Sequence, residues 1–315
     1  MRRFAGFSLL WRVQLFFTFL TLAVMGVSGQ QYPDFPGEGE PGEVLIIPVE
    51  GGEQTIQSIS LMDGNDKAVS TGQSFDLHGM ETVLLALPST IAPGDYLLRA
   101  STSGEGPGIL SSFQVLPRDF RQENIELNGD LTIMRTSEEE KKRLEALEIQ
   151  ALYALFNPQS EYSGLSFNSP IDFTELEYFR ISSEYGERRI FHYSDDRKTR
   201  AVHTGIDMAA ERGVEVRAAA DGRIVLAKER FISGLSIVIE HLPGVYSIYF
   251  HLDSIYVRPG DLVKQDQTIG EVGMSGLATG PHLHWEIRVN GIAVDPRPLT
   301  QNNIPDTIQP TSIGE

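Results

Sequence analysis

Short apolar runs separated by turn residues recur along most of the chain. In the first third they fall at 44–49, 56–62, 83–87, 96–100 and 109–116. Gly51-Gly52, Asp63-Gly64-Asn65-Asp66, Pro93-Gly94 and the glycine-rich 104–108 punctuate them. This spacing predicts five or more strands, and Pro93-Gly94-Asp95-Tyr96 reads as a turn feeding a strand of an immunoglobulin-like β-sandwich over 43–117. The pattern changes at 137–156. Leu144, Leu147, Ala151 and Leu155 follow helical spacing, Ser137 and Glu140 make a capping box, and Asn157-Pro158 stops the run. One helix is therefore expected within a connector at 118–158, docked on a β domain. Strand-like runs return at 213–219, 222–227, 236–240, 246–251, 268–272 and 282–289, after a loop-like lead-in that includes 182–189. The expected fold is mainly β: a leader, an N-terminal sandwich, a helical connector, and a C-terminal antiparallel domain over 160–298. The polar residues at 299–315 read as a disordered tail.

Composition narrows the chemistry. The 315 residues contain no cysteine, which removes disulfides and thiolate metal sites and leaves histidine and carboxylate as metal ligands. Residues 1–29 read as a secretory signal. Arg2 and Arg3 precede a mostly apolar run, and Val27-Ser28-Gly29 offers small residues for cleavage. The run is short for a spanning helix, so an uncleaved anchor is the lesser reading. Residues 30–42, rich in Pro, Gly and Glu, read as a flexible leader. The formal charge is −17, and without 1–29 it is −20, since three arginines and no acid are lost. Such a chain is a poor partner for nucleic acid or anionic lipid.

The remaining signal lies in the histidines. Five of seven fall between His203 and His284. On a strand, His282, His284 and Glu286 share one face, while Leu283, Trp285 and Ile287 face a core. The two imidazoles are then about 7 Å apart. One can bind a metal while the other faces what the metal activates. His203-Thr204-Gly205-Ile206-Asp207 supplies a second histidine and a carboxylate, with Gly205 letting the backbone bend. Catalytic zinc takes three such ligands and keeps one position open. His203, Asp207 and either His282 or His284 would complete the set, and His251 is the remaining polar group. His78, His192 and His241 fall outside the pattern and read as structural or surface residues.

Residues 200–297 resemble the LytM/lysostaphin-type zinc endopeptidases of family M23. The matching motifs are His203 to Asp207, Ala218-Ala219-Ala220-Asp221-Gly222, Tyr249-Phe250-His251-Leu252, the valine-glycine segment 257–263, Ile269-Gly270, and Thr279 to Glu286 with Trp285 in place of Phe. Tyr185-Gly186-Glu187-Arg188 looks like the family's lead-in, and Asp295-Pro296 like its exit. Ser233-Gly234-Leu235-Ser236 is a thinner turn than the family usually carries. The resemblance implies one zinc per chain on His203, Asp207 and His284, with His251 and His282 as active-site histidines that are not ligands. It also implies hydrolysis of amide bonds in peptidoglycan stem peptides or cross-bridges, in the periplasm or cell envelope. Cell-envelope proteins are the partners expected for the N-terminal β domain. The rival reading is a non-catalytic LytM-like module that activates another wall hydrolase, and the completeness of the five residues argues against it. Gly273-Met274-Ser275-Gly276-Leu277 lacks the last glycine of a serine nucleophile elbow. No nucleotide-binding glycine motif is present.

Overall fold

A computed structural model describes residues 35–49, 55–103, 109–160, 162–174, 176–301, 304–305 and 307–308. The expected signal at 1–29, the first part of the leader and two glycine-rich turns lie outside them. The architecture is mainly β, as the run-and-turn pattern predicts. Seven strands form the N-terminal sheet: β1 (Glu38–Gly39), β2 (Val44–Pro48), β3 (Ile56–Met62), β4 (Ala68–Leu77), β5 (Met80–Ala86), β6 (Gly94–Thr102) and β7 (Ile109–Val115). Their order is β1-β7-β6-β3-β4-β5-β2. β4 pairs with β3 through Gln73 and with β5 from Ser74 onward, so the sheet folds over itself there. Gly72 permits this corner, because a Cβ would stand 2.2 Å from the Leu84 carbonyl oxygen. Ile47, Ile59, Leu61, Val83, Leu85, Leu98 and Phe113 fill the enclosed core. β4 escaped the sequence reading because its inward positions include Ser70 and Gly72. Part of the expected flexible leader is ordered: β1 pairs with β7, and Gly42 N donates to Leu87 O at 2.7 Å.

The connector departs from expectation. It holds β8 (Gln122–Glu126), α1 (Gly129–Thr136) and α2 (Glu139–Tyr153). Ser137 does not cap α2; it closes α1, its N–H donating to Ile133 O. Glu138 turns the chain with φ 53° and gives no side-chain cap to α2. The competing helix, started by Asn128 accepting from Leu131 N at 2.9 Å, claims Ser137 first. The expected stripe is also rotated. Leu144, Leu147 and Leu155 are exposed, while Ile149 and Tyr153 pack on Leu226, Val238, Tyr246 and Ile248. Polar anchors fix this rotation: the Glu145 carboxylate accepts Phe231 N at 2.9 Å, and Glu148 pairs with Lys228 at 2.6 Å.

The C-terminal domain adds β9 (Phe179–Ser183), β10 (Arg188–His192), β11 (Lys198–Val202), β12 (Ile206–Ala209), β13 (Glu215–Arg217), β14 (Gly222–Arg230), β15 (Gly234–Leu242), β16 (Val245–Leu252), β17 (Ser254–Ile255), β18 (Leu262–Val263), β19 (Thr268–Glu271), β20 (Leu283–Val289), β21 (Ile292–Val294) and β22 (Thr307–Ile308). The main antiparallel sheet runs β18-β14-β15-β16-β20-β12-β9-β22, with β21 on β20. β11-β10-β8 form a smaller sheet, and β13-β19-β17 another. Strands β9 and β10 run into the two ends of 182–189, which reads as a loop. Of the tail expected at 299–315, residues 299–301, 304–305 and 307–308 are described, and the rest lie outside the described residues. Ile304 is buried in the main core, and Thr307–Ile308 pairs with Phe179 and Arg180. One apolar residue and an open strand edge outweigh the polar composition. The two β domains share a core through Phe75, Leu84 and Ala86, tied further by Asn290 Nδ2 to Leu84 O at 2.9 Å.

Candidate active site

β20 lies at the centre of the sheet, and register decides what meets there. Asp207 of β12 lies opposite His284, and so does Phe250 of β16. Leu283, Trp285 and Ile287 are fully buried on the other face, as alternation requires. His203 reaches His284 over the loop before β12. Gly205 serves this approach rather than a bend: a Cβ would stand 2.2 Å from Trp285 O, and its backbone needs no left-handed angle. His203 Nε2 lies 3.0 Å from Asp207 Oδ1 and 3.0 Å from His284 Nδ1. His284 Nδ1 lies 2.7 Å from Asp207 Oδ1. These three ligand atoms fall within 4.8 Å of one another, on buried side chains.

A surrounding shell fixes each group. His203 Nδ1–H donates to Glu184 O at 2.7 Å, which leaves Nε2 for the centre. His284 Nε2–H donates to Glu286 Oε1 at 2.9 Å, which leaves Nδ1. Glu286 also accepts from Thr204 Oγ1 and from Arg288 Nε at 2.8 Å. Asp207 Oδ2 accepts from Arg189 Nη2 at 2.5 Å, leaving Oδ1 for the centre. Such partners set tautomer and ring orientation at metal centres. The charges follow. Burial opposes ionisation of Asp207, yet His203 and His284 hold its carboxyl well below the usual range. Burial lowers His203 despite Asp207. Burial would lower His284 too, but Asp207 and Glu286 together push it up to about 9.

His251 arrives by a different device. Plain alternation would put it on the core face with Tyr249. Between the pairs Ile237–Tyr249 and Leu235–Leu252, however, β16 carries two residues opposite the single Ser236. This β-bulge turns His251, with φ 63°, onto the face of Phe250 and His284. His251 N donates to Ser233 O at 2.9 Å, and Nδ1–H donates to Ser275 O at 2.8 Å. The thin turn 233–236 noted in the sequence is thus the anchor of the bulge. His282 Nδ1–H donates to Gly280 O at 2.8 Å, and its Nε2 stands 3.8 Å from Asp207 Oδ1. The His251 and His282 rings lie 4.8 Å apart. In both, Nε2 is the nitrogen left to exchange a proton. Burial first, and the neighbouring imidazoles second, push His251 down to about 3.

The five expected residues therefore meet in one cleft of about 570 Å³. His192 does not join it and bonds Asn124 Oδ1 at 2.9 Å. His241 is buried elsewhere, donating to Asp221 O at 2.7 Å and bonding Ser247 Oγ at 2.7 Å. His78 sits with φ 54° in the turn between β4 and β5. Sequence reasoning missed the opposite wall, where Glu123, Leu127, Arg135, Arg189 and Phe191 come from β8, the turn after it, α1 and β10. Motif spacing gave no hint of that wall. The Arg188-Arg189 pair and the alternation of Glu286 with His284 were the available signals for the orienting groups.

Three convergent donors, oriented from outside and open to a cleft beside two further histidines, form a cluster that could hold a metal ion. Residues 201–296 match the model of peptidase family M23. Over 123 residues it is 43% identical to the DD-carboxypeptidase/endopeptidase Mpg of Neisseria meningitidis, covering 38% of this chain and 27% of that protein. Over 129 residues it is 38% identical to the peptidoglycan DD-endopeptidase ShyC of Vibrio cholerae, covering 41% of this chain and 28% of that one. The match thus spans under a third of the length of these curated relatives. A crystal structure of a Pseudomonas aeruginosa protein assigned to peptidase M23 superposes with a TM-score of 0.57 at 23% identity, over 82% of this chain and 93% of that one. At that identity the likeness describes the fold.

Proposed function

We propose that this chain is a zinc-dependent endopeptidase that hydrolyses an amide bond in the stem peptides or cross-bridges of peptidoglycan. Its place of action is outside the cytoplasm, after cleavage of residues 1–29 near Gly29. The observation that carries the reading is the convergence of His203, Asp207 and His284 beside His251 and His282. The donor set suits zinc, one ion per chain: two imidazole nitrogens and one carboxylate oxygen, with a cleft on the open side. Relatives named as peptidoglycan endopeptidases support the substrate class. The Arg2-Arg3 start and the apolar run after it support export. Among the described residues, no helix is long and apolar enough to cross a membrane.

The chemistry a zinc ion supplies in such a site is Lewis acidity, toward a carbonyl and toward water. The chain's own residues supply the rest. Glu184 O, Glu286 and Arg189 hold the three ligands in place. Amide hydrolysis needs one proton taken from water and one delivered to the leaving amine. His251 and His282 present Nε2 to the cleft for these two transfers, each ring fixed through Nδ1 by a backbone carbonyl. Phe250, stacked on His284 at 5.4 Å, limits water on that flank.

Digestion of purified peptidoglycan followed by mass analysis of the muropeptides tests the reading. The zinc-loaded protein should release peptides cut at one type of amide, and His284→Ala should release none. Zinc-loaded wild type that cuts nothing, yet stimulates a separate wall hydrolase, would replace the enzyme with the activator. N-terminal sequencing of the native protein tests export, and an intact Met1 would point to an anchor.

A further inference from the structure

The cleft carries a cation that the hydrolytic site does not use. Arg135 lies in the last turn of α1 and lines the same 570 Å³ space as His203, Asp207 and His284. Its guanidinium carbon stands 3.8 Å from the centroid of the Phe191 ring. Its Nε–H donates to Tyr193 Oη at 3.0 Å, and that hydroxyl bonds Thr199 Oγ1 at 2.9 Å. Phe191 and Tyr193 are themselves fixed, buried with Leu127 in a small apolar cluster. The face and one edge of the guanidinium are thus held, and among the described residues its two Nη groups make no hydrogen bond. Arg189, the neighbouring cleft arginine, is neutralised by Asp207 and Glu123. Arg135 enters no ion pair among the described residues. A pre-oriented, uncompensated arginine fork in the cleft of a chain with formal charge −17 is matched by a carboxylate, which it can bind through two parallel hydrogen bonds.

Position gives the reach. Arg189 and Phe191 lie two residues apart on β10, so their side chains share a face about 7 Å apart. With Arg135 stacked above Phe191, its fork is on the order of 7–10 Å from the Arg189–Asp207 contact. An extended peptide covers that span in about two to three residues. We propose that Arg135 anchors a free carboxylate of the substrate peptide, about two to three residues from the bond that is cut. This rests on the hydrolase reading and specifies its substrate: a cross-linked peptide with an acidic group on the strand that lies against α1. The carboxylate is either the peptide's own C-terminus or an acidic side chain.

The test uses the full chain and synthetic cross-linked peptides in which the C-terminal and side-chain carboxylates are amidated one at a time. Initial rates are measured with wild type, Arg135→Gln, Arg135→Lys and Arg180→Gln. Calorimetry with His251→Ala and with the His251→Ala/Arg135→Gln double variant reads binding without turnover. One amidation should raise KM about 10- to 100-fold for wild type, the usual worth of a charge-assisted hydrogen bond, with kcat within about 3-fold. Which amidation does so identifies the source. Arg135→Gln should show the high KM on the free peptide and no discrimination, and Arg135→Lys should recover part of it. Arg180 also lines the cleft, so Arg180→Gln removes the same charge from it and should keep the discrimination. The proposal is overturned if wild type treats free and amidated peptides alike. It is also overturned if Arg135→Gln slows all of them equally, or if Arg180→Gln erases the preference as completely. If wild type cuts no peptide while His251→Ala still binds the free carboxylate selectively, and only with Arg135 present, the hydrolase reading fails and the anchor stands.

Discussion

Replacing Gly205 by alanine should dismantle the metal site without touching a ligand. The added Cβ would stand 2.2 Å from Trp285 O, 2.8 Å from Trp285 C and 2.9 Å from Glu286 Cγ. Two of these are backbone atoms of the central strand, which cannot swing aside as a flexible side chain would. Restoring an ordinary 3.4 Å contact requires the His203–Asp207 loop and β20 to separate by about 1.2 Å. The loop carries His203, β12 carries Asp207 and β20 carries His284, now 2.7 to 3.0 Å apart at their donor atoms. A displacement of about 1 Å between catalytic groups costs on the order of 100-fold in rate. Overpacking of a filled site costs about 1–3 kcal/mol in stability. Gly205→Ala should therefore melt lower, lose zinc to a weaker chelator than wild type does, and retain about 1% of the cleavage rate or less. Gly64→Ala, where a Cβ meets nothing within 4 Å, is the matched control and should change none of these. Chelator competition, thermal melts and muropeptide release measure the three effects. Wild-type zinc affinity and rate in Gly205→Ala would refute the close-approach argument.

Three further outcomes are expected. His284→Ala should lose both zinc and activity, whereas His282→Ala should keep zinc near one per chain and lose roughly 10²–10⁴-fold in rate, the usual worth of a positioned acid or base; metal analysis beside cleavage decides it, and the reverse pattern would invert the assignment. Trp285→Ala removes a fully buried ring and should cost about 3–5 kcal/mol in urea unfolding, with an unchanged midpoint showing the strand facing to be wrong. His241, pushed by burial from 6.5 down to about 4, is neutral in the fold while its unfolded form takes a proton below 6.5. The unfolded chain then binds more protons between those values, so this stability is present above pH 6.5 and falls by about 3 kcal/mol as pH drops toward 4. Unfolding curves for wild type and His241→Asn across that window should differ in slope, and identical slopes would contradict the burial argument.

What the chain determines by itself is whatever depends on local period and side-chain chemistry. The alternation from His282 to Ile287 decided which face of β20 is core and which carries the two histidines, because a strand's side chains alternate whatever surrounds it. The lack of cysteine left only histidine and carboxylate for a metal. What needed the tertiary structure were the features set by competition between segments. Ser137 suits a helix start, but α1 takes it as a helix end. Leu144, Leu147 and Leu155 make a helical stripe, yet the sheet receives Ile149 and Tyr153, because anchors at Glu145 and Glu148 set the rotation of α2. His251 belongs by parity to the core face and reaches the cleft only through a bulge opposite Ser236. The cleft's second wall joins β8 and α1 to β10, more than 50 residues further along the chain, in a parallel pairing that no local pattern encodes. Local period fixes where a side chain points relative to its own strand. Only long-range pairing fixes which strands lie side by side and where one residue too many turns the next side chain over.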